Sequence, residues 1–194
     1  MPIKIPSHFE TKRLILRPYR VGDGQPFFDM VENGNREHLK DILGYITESN
    51  DINKIENWIE ELASDWNRHN RFVLSYWQKT TQNFLGHIWI EPIDWNLPAF
   101  EIGWFIDKNQ QGKGYVTEAT KKAIDFIFKD LQADNIIVRV RETKPYNIKS
   151  KNVAERCGFK KEGFYQDNIK LEDRTLISET HYKMLKEDYD NNEN

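Results

Sequence analysis

The 194-residue sequence predicts an α+β fold in a single domain, because strand-like and helix-like segments follow one another with no linker between them. Short runs rich in aromatic and β-branched residues indicate strands, and apolar residues that recur every three or four positions indicate helices. No internal repeat or low-complexity block divides the chain. We therefore expect one domain over residues 1–194, with a frayed tail from about residue 189.

The first expected elements are one strand and two helices. The stretch FETKRLILRPY alternates polar and apolar residues as far as Pro18, which is typical of a half-buried strand that ends at proline. Asp23 is a candidate cap for a short helix that ends at the breaker Asn33-Gly34. A second helix should follow the cap candidates at 49–51, with its apolar stripe at Ile52, Ile55, Ile59, Leu62 and Trp66.

The rest of the chain predicts three strands, a helix, a strand, a helix and two strands. The runs RFVLSYW, NFLGHIWIE and AFEIGWFID suggest an antiparallel meander. An apolar i, i+4 stripe then predicts a helix over 117–131, and NIIVRVRE predicts the next strand. NIKSKNVAERCGF reads as a short helix stopped by Gly158, and the final strand is expected in SETHYKMLKEDY.

Composition excludes several classes of function. The 28 Lys and Arg residues are outnumbered by 31 acids, so the formal charge of -3 provides no basic field for nucleic acid. The single Cys157 cannot form an internal disulfide, and we see neither a signal peptide nor an apolar run long enough for a bilayer. The five histidines lack the spacing of a metal site. We expect a soluble, cytoplasmic protein that binds no metal, nucleic acid or membrane.

The most informative stretch is DKNQQGKGYVTEA, which places two glycines between a strand-like run and a helix-like pattern. Such a turn leaves several backbone N–H groups unpaired at the positive end of the helix dipole, which suits an anion. The stretch does not fit a Walker loop, and it fits a dinucleotide fingerprint poorly because Thr117 stands at the third glycine position. A plain turn with a helix cap stays open as well.

The segment NQQGKGYVTEA resembles the pyrophosphate loop of the GNAT superfamily of N-acetyltransferases, although Asn109 stands where that family usually has Gln or Arg. The resemblance extends to TKRLILRP, to EIGWFID and to NIKSKNVAERCGFKKEG, and these segments are similar to the RimJ/RimL-type branch, named for ribosomal-protein N-terminal acetyltransferases. It implies the GNAT acyl-CoA N-acyltransferase fold, a mixed central sheet of about seven strands with helices on both faces.

The resemblance also implies acetyl-CoA as cosubstrate and direct attack of a primary amine on its thioester. In such enzymes the pantetheine pairs with the strand backbone, the diphosphate lies on the glycine turn, and further contacts come from the penultimate helix. The implied cofactor-binding residues are Trp104, Phe105, Ile106, Gln111, Gly112, Lys113, Gly114, Tyr115, Asn147 and Ser150.

Two of the candidates are implied to act in catalysis. Glu101 would take the proton of the amine, directly or through water, and Ser150 would stabilise or protonate the departing thiolate. The phenols of Tyr115 and Tyr146 are alternatives to Ser150. From residue chemistry alone, Glu101 could equally be a solvated surface charge, and Asn147 or Ser150 could be a helix N-cap.

The acceptor is the least constrained part of the prediction. We expect the N-terminal α-amine of a protein or peptide, a ribosomal protein among the candidates, with a small amine or an antibiotic as the variant. Glu91, Asp94 and Glu101 would give the acceptor side an acidic cast. A non-catalytic acetyl-CoA-binding module and a nucleotide binder are the rival hypotheses, and the sequence leaves monomer and homodimer open.

Overall fold

The computed structural model of the protein describes residues 5–142, 147–171 and 173–193. Its strands form a mixed sheet in the order β1-β2-β3-β4-β5-β6-β8-β7. They are β1 (Phe9–Glu10), β2 (Leu14–Pro18), β3 (Phe72–Gln78), β4 (Phe84–Asp94), β5 (Ala99–Ile106), β6 (Asn135–Arg141), β7 (Lys160–Lys170) and β8 (Leu176–Leu185). The α-helices are α1 (Gly24–Met30), α2 (Arg36–Thr47), α3 (Ile52–Arg68), α4 (Tyr115–Lys129), α5 (Asn147–Arg156) and α6 (Lys186–Glu193). The α+β class with a mixed sheet is confirmed, with eight strands in place of about seven.

The chain divides into two compact units. The N-terminal unit comprises the described parts of Lys4–Glu91 together with Trp104–Ala123. The C-terminal unit comprises Pro92–Gly103 together with the described parts of Ile124–Asn194. The expectation of a single domain stays a prediction.

The helix α3 organises the apolar core of the N-terminal unit. The Asp51 side chain accepts a hydrogen bond from the Asn53 N–H at 2.9 Å, which confirms the expected start of this helix. Ile55, Ile59 and Leu62 of its apolar stripe are buried and join a cluster that includes residues of α1, α2, β3, β4 and β5. The cluster comprises Tyr19, Phe27, Met30, Val31, Leu39, Ile46, Ile55, Trp58, Ile59, Leu62, Val73, Trp77, Phe84 and Phe105.

The region before α3 differs from the sequence prediction in two ways. Asp23 precedes α1, but its side chain does not cap the helix, because the carboxylate binds the Arg17 guanidinium at 2.6 and 2.8 Å. A third helix, α2, lies where only two were expected. The predicted breaker exists, with Gly34 at a φ of +86°, but the chain returns to helical geometry at Arg36.

The C-terminal unit carries β6, β7 and β8 and the helices that follow them. β5 pairs with β6 in parallel from Ala99 opposite Asn135, and β8 pairs antiparallel with both β6 and β7. The expected last strand ends at Leu185, and a helix, α6, replaces the frayed residues expected there. Tyr189 of α6 is buried, stacks on Phe128 and donates a hydrogen bond to Asp125 at 2.7 Å. Across the described residues, every helix is too short or too polar to pass through a lipid bilayer.

Candidate functional site

The glycine turn, residues 107–115, leads from the end of β5 into α4. A single 3₁₀ turn, Lys108–Gln110, opens it, and the Asp107 carboxylate accepts a hydrogen bond from the Asn109 N–H at 3.0 Å. Gly112 and Gly114 have φ values of +77° and +78°, a region that favours glycine. A Cβ placed on Gly112 would meet no protein atom within 4 Å, so the space in front of this residue is open.

Several main-chain N–H groups of the turn have no acceptor among the described residues. The helix α4 begins at Tyr115, two residues earlier than expected, and helix geometry leaves the N–H groups of its first turn without intrahelical acceptors. Among the described residues, none accepts a hydrogen bond from the N–H of Gly112, Lys113 or Gly114. Donors at a helix N-terminus favour a negatively charged ligand. The turn therefore provides N–H groups that could bind an anion, and the anion site stays a prediction.

Arg13, which immediately precedes β2, contacts the glycine turn although it lies far from it in sequence. Its Nη1 donates to the Lys113 carbonyl oxygen at 2.8 Å, and its guanidinium carbon lies 4.4 Å from the centre of the Tyr115 ring. Its Nε donates to Glu118 Oε2 at 2.6 Å, and its backbone N–H donates to Glu118 Oε1 at 2.9 Å. These contacts fix the turn between a strand and the first turn of α4.

The pKa of Glu118 is lowered by this arrangement. Burial alone would raise the pKa, but hydrogen bonds from the Thr11 hydroxyl and from Arg13, together with the Arg13 charge, outweigh it. The Thr11 hydroxyl donates to Glu118 Oε1 at 2.5 Å. Glu118 is therefore ionised at neutral pH, and its carboxylate binds Arg13.

Asn35, immediately before α2, holds the start of the glycine turn. Its side chain is fully buried and donates to the Met30 carbonyl oxygen and to Asp107 Oδ1, both at 2.8 Å. Its Oδ1 accepts from the Lys108 N–H at 2.7 Å. Asn109, which departs from the family pattern, directs its side-chain amide to the Asn33 carbonyl oxygen at 3.4 Å.

His38 of α2 lies between the end of β5 and Gln111. Its Nε2 is 3.2 Å from the Ile106 carbonyl oxygen and 3.1 Å from Gln111 Nε2. The neighbouring Phe105 carbonyl oxygen accepts a hydrogen bond from the Tyr76 hydroxyl at 2.6 Å. The structure thus brings the candidates Trp104, Phe105 and Ile106 and the turn residues 111–115 together in the N-terminal unit, with the Trp104, Phe105, Ile106 and Tyr115 side chains buried.

The remaining candidates belong to the C-terminal unit. Glu101 lies on β5, with its side chain about one quarter exposed and its Oε2 3.5 Å from Arg139 Nε, so it is an ion-paired carboxylate and not a freely solvated charge. Ser150 is the fourth residue of α5 and is partly buried, so it is not the N-cap of that helix. The backbone of Asn147 begins α5, while its side chain and the whole of Tyr146 lie outside the described residues.

Two polar contacts fix α5, which carries Ser150. The Lys151 ammonium binds Glu142 Oε1 at 2.6 Å, and the Thr180 hydroxyl donates to the same carboxylate. One turn further on, the Tyr182 hydroxyl donates to Glu155 Oε1 at 3.2 Å. Residues 151 and 155 lie on one face of the helix, so the two contacts set its rotation and thereby the direction of Ser150.

The other residues singled out from the sequence have ordinary surroundings. Glu91 binds Arg71 at 3.2 Å, and Asp94 accepts from the Asn96 N–H at 2.7 Å, so neither is an isolated acid. Trp95 is partly exposed and packs edge-on against Phe100. Cys157 is a buried free thiol, as expected. Within the described residues, we find no group of three or more His, Cys, Asp and Glu side chains arranged to hold a metal ion.

Comparison with known proteins identifies the family of the chain that carries this site. A family model described as an acetyltransferase (GNAT) domain matches residues 13–160. An uncharacterised N-acetyltransferase, YnaD of Bacillus subtilis, is 26% identical over 94% of this chain and 99% of its own length. The uncharacterised N-acetyltransferase p20 of Bacillus licheniformis is 31% identical over 92% of this chain and 96% of its own. Spermidine N(1)-acetyltransferase of Vibrio cholerae is 28% identical over 59% of this chain and 70% of its own.

Solved structures share the same architecture. The microcin C7 self-immunity acetyltransferase MccE, in complex with acetyl-CoA and AMP, has a TM-score of 0.78 at 22% identity and covers 90% of this chain and 93% of its own. The ribosomal L7/L12 α-N-protein acetyltransferase RimL, in complex with coenzyme A, also has a TM-score of 0.78, at 16% identity, over 93% and 97%. The expected GNAT fold, a mixed sheet with helices on both faces, is confirmed.

Proposed function

We propose that this chain, which belongs to the GNAT family of N-acetyltransferases, acetylates the N-terminal α-amine of a protein or peptide with acetyl-CoA. An acetyl-CoA-dependent N-acetyltransferase is the activity that the family and the N-acetyltransferase relatives support. The choice of an α-amine acceptor is the further step of this proposal.

The observation that carries the proposal is the open glycine turn, in which the N–H groups of Gly112, Lys113 and Gly114 have no acceptor among the described residues. Within the turn residues 111–115, we assign the acetyl-CoA diphosphate to the N–H groups of Gly112 to Tyr115, because the Gln111 N–H already donates to the Lys108 carbonyl oxygen at 3.4 Å. Hydrogen bonds to charged oxygens contribute about 1.5–3 kcal/mol each. The helix dipole adds only about 0.3–2 kcal/mol, so the directed N–H groups dominate. The pantetheine is assigned to the backbone of Trp104, Phe105 and Ile106 and to Asn147. The acetyl-CoA and coenzyme A complexes of MccE and RimL support this choice of ligand.

Proton transfer favours an α-amine over a lysine side chain. At neutral pH, removing the proton of an α-amine with a pKa near 8 costs about 1 kcal/mol, whereas a lysine near 10.4 costs about 4.6 kcal/mol. Glu101, whose Oε2 lies 3.5 Å from Arg139 Nε, is the carboxylate assigned to accept the proton. The modest requirement for a base therefore agrees with a single ion-paired carboxylate, acting directly or through water.

The reaction is a direct displacement. The neutral amine attacks the thioester carbonyl carbon, the carbon–sulfur bond breaks, and the acetyl group remains on nitrogen while the thiolate departs. We assign Glu101 to take the amine proton and Ser150 to donate a hydrogen bond to the sulfur. The buried Tyr115 ring lies under the Arg13 guanidinium, which makes it a packing residue rather than the proton donor. Much of the rate comes from alignment of the two substrates.

A small polyamine is the second candidate acceptor. The likeness to a spermidine N(1)-acetyltransferase over 59% of this chain favours it, and so does the presence of acids in 91–101. Those acids are each engaged by a cation or an N–H group, which leaves less negative charge for a polycation than the sequence suggests. The likeness to RimL favours the α-amine.

A paired substrate assay tests the proposal. Purified protein is mixed with acetyl-CoA and either a peptide with a free N-terminus, the same peptide with a blocked N-terminus and one lysine, or spermidine, and free thiol is measured with a thiol reagent. We expect a kcat/KM for the free α-amine at least about tenfold above the other two, from the difference in deprotonation cost.

Other outcomes decide against parts of the proposal. Preference for spermidine would contradict the α-amine acceptor and favour the polyamine. Absence of thiol release with every amine, despite binding of acetyl-CoA, would favour a non-catalytic acetyl-CoA sensor.

A further inference from the structure

We infer that Asn35 and His38, at the start of α2, position the glycine turn and thereby set the affinity for acetyl-CoA. This inference rests on the proposed function, because it concerns the turn assigned to the diphosphate. Neither residue is a catalytic residue here, since both act through the turn. They connect the helix α2 to the start of the glycine turn, at Asp107 and Lys108, and to Gln111, which precedes the first glycine.

Asn35 fixes the start of the turn because its buried side-chain amide has a partner for each hydrogen and for its oxygen. Both hydrogens of its amide are used, one by the Met30 carbonyl and one by Asp107, and its oxygen accepts from the Lys108 N–H. Asp107 in turn accepts from the Asn109 N–H. Because the Asn35 side chain is fully buried, a lost partner cannot be replaced by bulk water. The amide therefore selects one conformation for the start of the turn.

His38 fixes the residue that precedes the first glycine. Its Nε2 lies within hydrogen-bond distance of both the Ile106 carbonyl oxygen and the Gln111 side-chain amide. One ring nitrogen cannot donate to Ile106 and accept from Gln111 at once, so the tautomer and the orientation of the amide decide how the two contacts are shared. In each arrangement, His38 ties α2 to the end of β5 or to Gln111.

The two residues act from one packed helix start. They are three positions apart and lie on the same side of it, while the adjacent Leu39 is fully buried in the core cluster. The turn is thus held by side chains whose own positions are set by core packing. A displaced turn would misdirect the N–H groups of Gly112–Gly114, and hydrogen bonds weaken steeply with poor geometry.

Binding measurements on matched variants test the inference. The variants are His38→Ala, the conservative His38→Gln, the isosteric Asn35→Asp, and Glu37→Ala as an exposed control on the same helix. Calorimetry with acetyl-CoA and with S-acetylpantetheine, which lacks the diphosphate, gives the affinity for each ligand. Thermal unfolding and kcat at saturating acetyl-CoA are measured alongside.

We expect His38→Ala to weaken acetyl-CoA binding about fivefold to tenfold, the effect of roughly one hydrogen bond. Its kcat at saturation should change less than about twofold, because the reacting groups are elsewhere. Its affinity for S-acetylpantetheine should fall less than its affinity for acetyl-CoA, because only the Ile106 carbonyl contact of His38 lies on the strand assigned to the pantetheine. His38→Gln should recover most of the affinity, since Gln also provides an N–H donor. Asn35→Asp should weaken binding further, because it sets a second carboxylate against Asp107. Glu37→Ala should behave as wild type.

Wild-type affinity for acetyl-CoA in both folded His38→Ala and folded Asn35→Asp would overturn the inference and leave the proposed function standing. If Asn35→Asp does not fold, the comparison of His38→Ala with His38→Gln decides the matter. An equal loss of affinity for acetyl-CoA and for S-acetylpantetheine would also overturn the inference. So would a fall in kcat with an unchanged KM for acetyl-CoA. Failure of the wild-type protein to bind acetyl-CoA would overturn the proposed function itself.

Discussion

At the residue scale, the glycine turn depends on backbone conformation as much as on the absence of side chains. Gly112 has a φ of +77°, and a Cβ added there would meet nothing in the protein. Gly22 has a φ of +93° and is equally open, but it lies in a different turn of the same unit. An added Cβ should therefore have a similar conformational cost at Gly22 and at Gly112. Only Gly112 lies in the turn assigned to a ligand.

Gly112→Ala is expected to separate binding from stability. Both Gly112→Ala and Gly22→Ala should cost about 1 kcal/mol of unfolding free energy, because a non-glycine residue is strained at positive φ. Only Gly112→Ala should weaken acetyl-CoA binding, by about tenfold or more, since its methyl group would occupy the space in front of the N–H groups. Calorimetry and urea unfolding measure the two quantities. Equal acetyl-CoA affinity in the two variants would mean that the wrong turn has been assigned.

Glu118 gives a pH-dependent contribution to stability. Its folded-state pKa lies below the usual value of 4.5, so the carboxylate stabilises the fold fully above that value. The contribution is lost as the pH falls through the folded-state pKa. Near neutral pH, Glu118→Gln should lower the unfolding free energy by about 1.5–3 kcal/mol, the value of hydrogen bonds to a charged group.

Urea unfolding of wild type and Glu118→Gln across the acidic range checks this prediction. The difference between the two proteins should shrink as the pH drops below 4.5. A difference that stays constant with pH would contradict the ionised role of Glu118. Comparing the two proteins cancels the contributions of other acids, such as Glu142, whose pKa is also lowered.

Ser150→Ala tests the proposed contact with the departing sulfur. Ser150 is partly buried on a helix that is fixed by Lys151 and Glu155, so the substitution should leave α5 in place. We expect kcat to fall about tenfold to a hundredfold, at or below the low end for proton transfer by a side chain, with the affinity for acetyl-CoA nearly unchanged. Steady-state kinetics and calorimetry provide the two values. Wild-type kcat would remove the role assigned to Ser150.

At the scale of elements, local patterns predicted most strands and helices, and tertiary contacts account for the differences. The stripe of α3 and the aromatic runs of β3 to β5 are strong enough to be recognised alone. The helix α2 was missed because it contains Gly44 and a non-helical Leu43, which weaken its periodic pattern. The helix α6 was missed because Tyr189 is its only large apolar residue.

Tyr189→Ala tests whether packing holds α6 in place. The side chain is buried against Phe128 and bonded to Asp125, so its removal should cost about 3 kcal/mol, as in other truncations of large core residues. Tyr45, which is mostly exposed on α2, provides the matched control, and Tyr45→Ala should cost under about 1 kcal/mol. Unfolding in urea measures both. Equal costs would favour the frayed tail that the sequence alone suggests.

Local sequence patterns also predicted part of the candidate site. The two glycines and the helix that follows them are adjacent in sequence, so the turn could be recognised locally. Its supports are far away: Arg13 bonds to Glu118 over 105 positions, and Asn35 bonds to Asp107 over 72. A single sequence holds no signal for such pairs. Glu118, in the first turn of α4, is accounted for in the sequence by the helix dipole, so it does not point to Arg13.

At the scale of the whole molecule, the net charge sets how the ligand must be held. The formal charge of -3 gives no long-range attraction for acetyl-CoA, which is itself an anion. Binding must then come from local, directed donors, and a well-screened surface charge contributes little at physiological ionic strength. The proposed affinity for acetyl-CoA therefore comes from main-chain N–H groups, which Arg13 and α2 hold in place.

Nuclear magnetic resonance of the backbone amides during titration tests this claim most directly. With acetyl-CoA, we predict downfield shifts of the amide protons of Gly112, Lys113, Gly114 and Tyr115, because each would donate to a charged oxygen. S-acetylpantetheine, which lacks the diphosphate, should leave these four resonances nearly unmoved. If acetyl-CoA binds while the four amide protons stay where they are in the free protein, the account is contradicted.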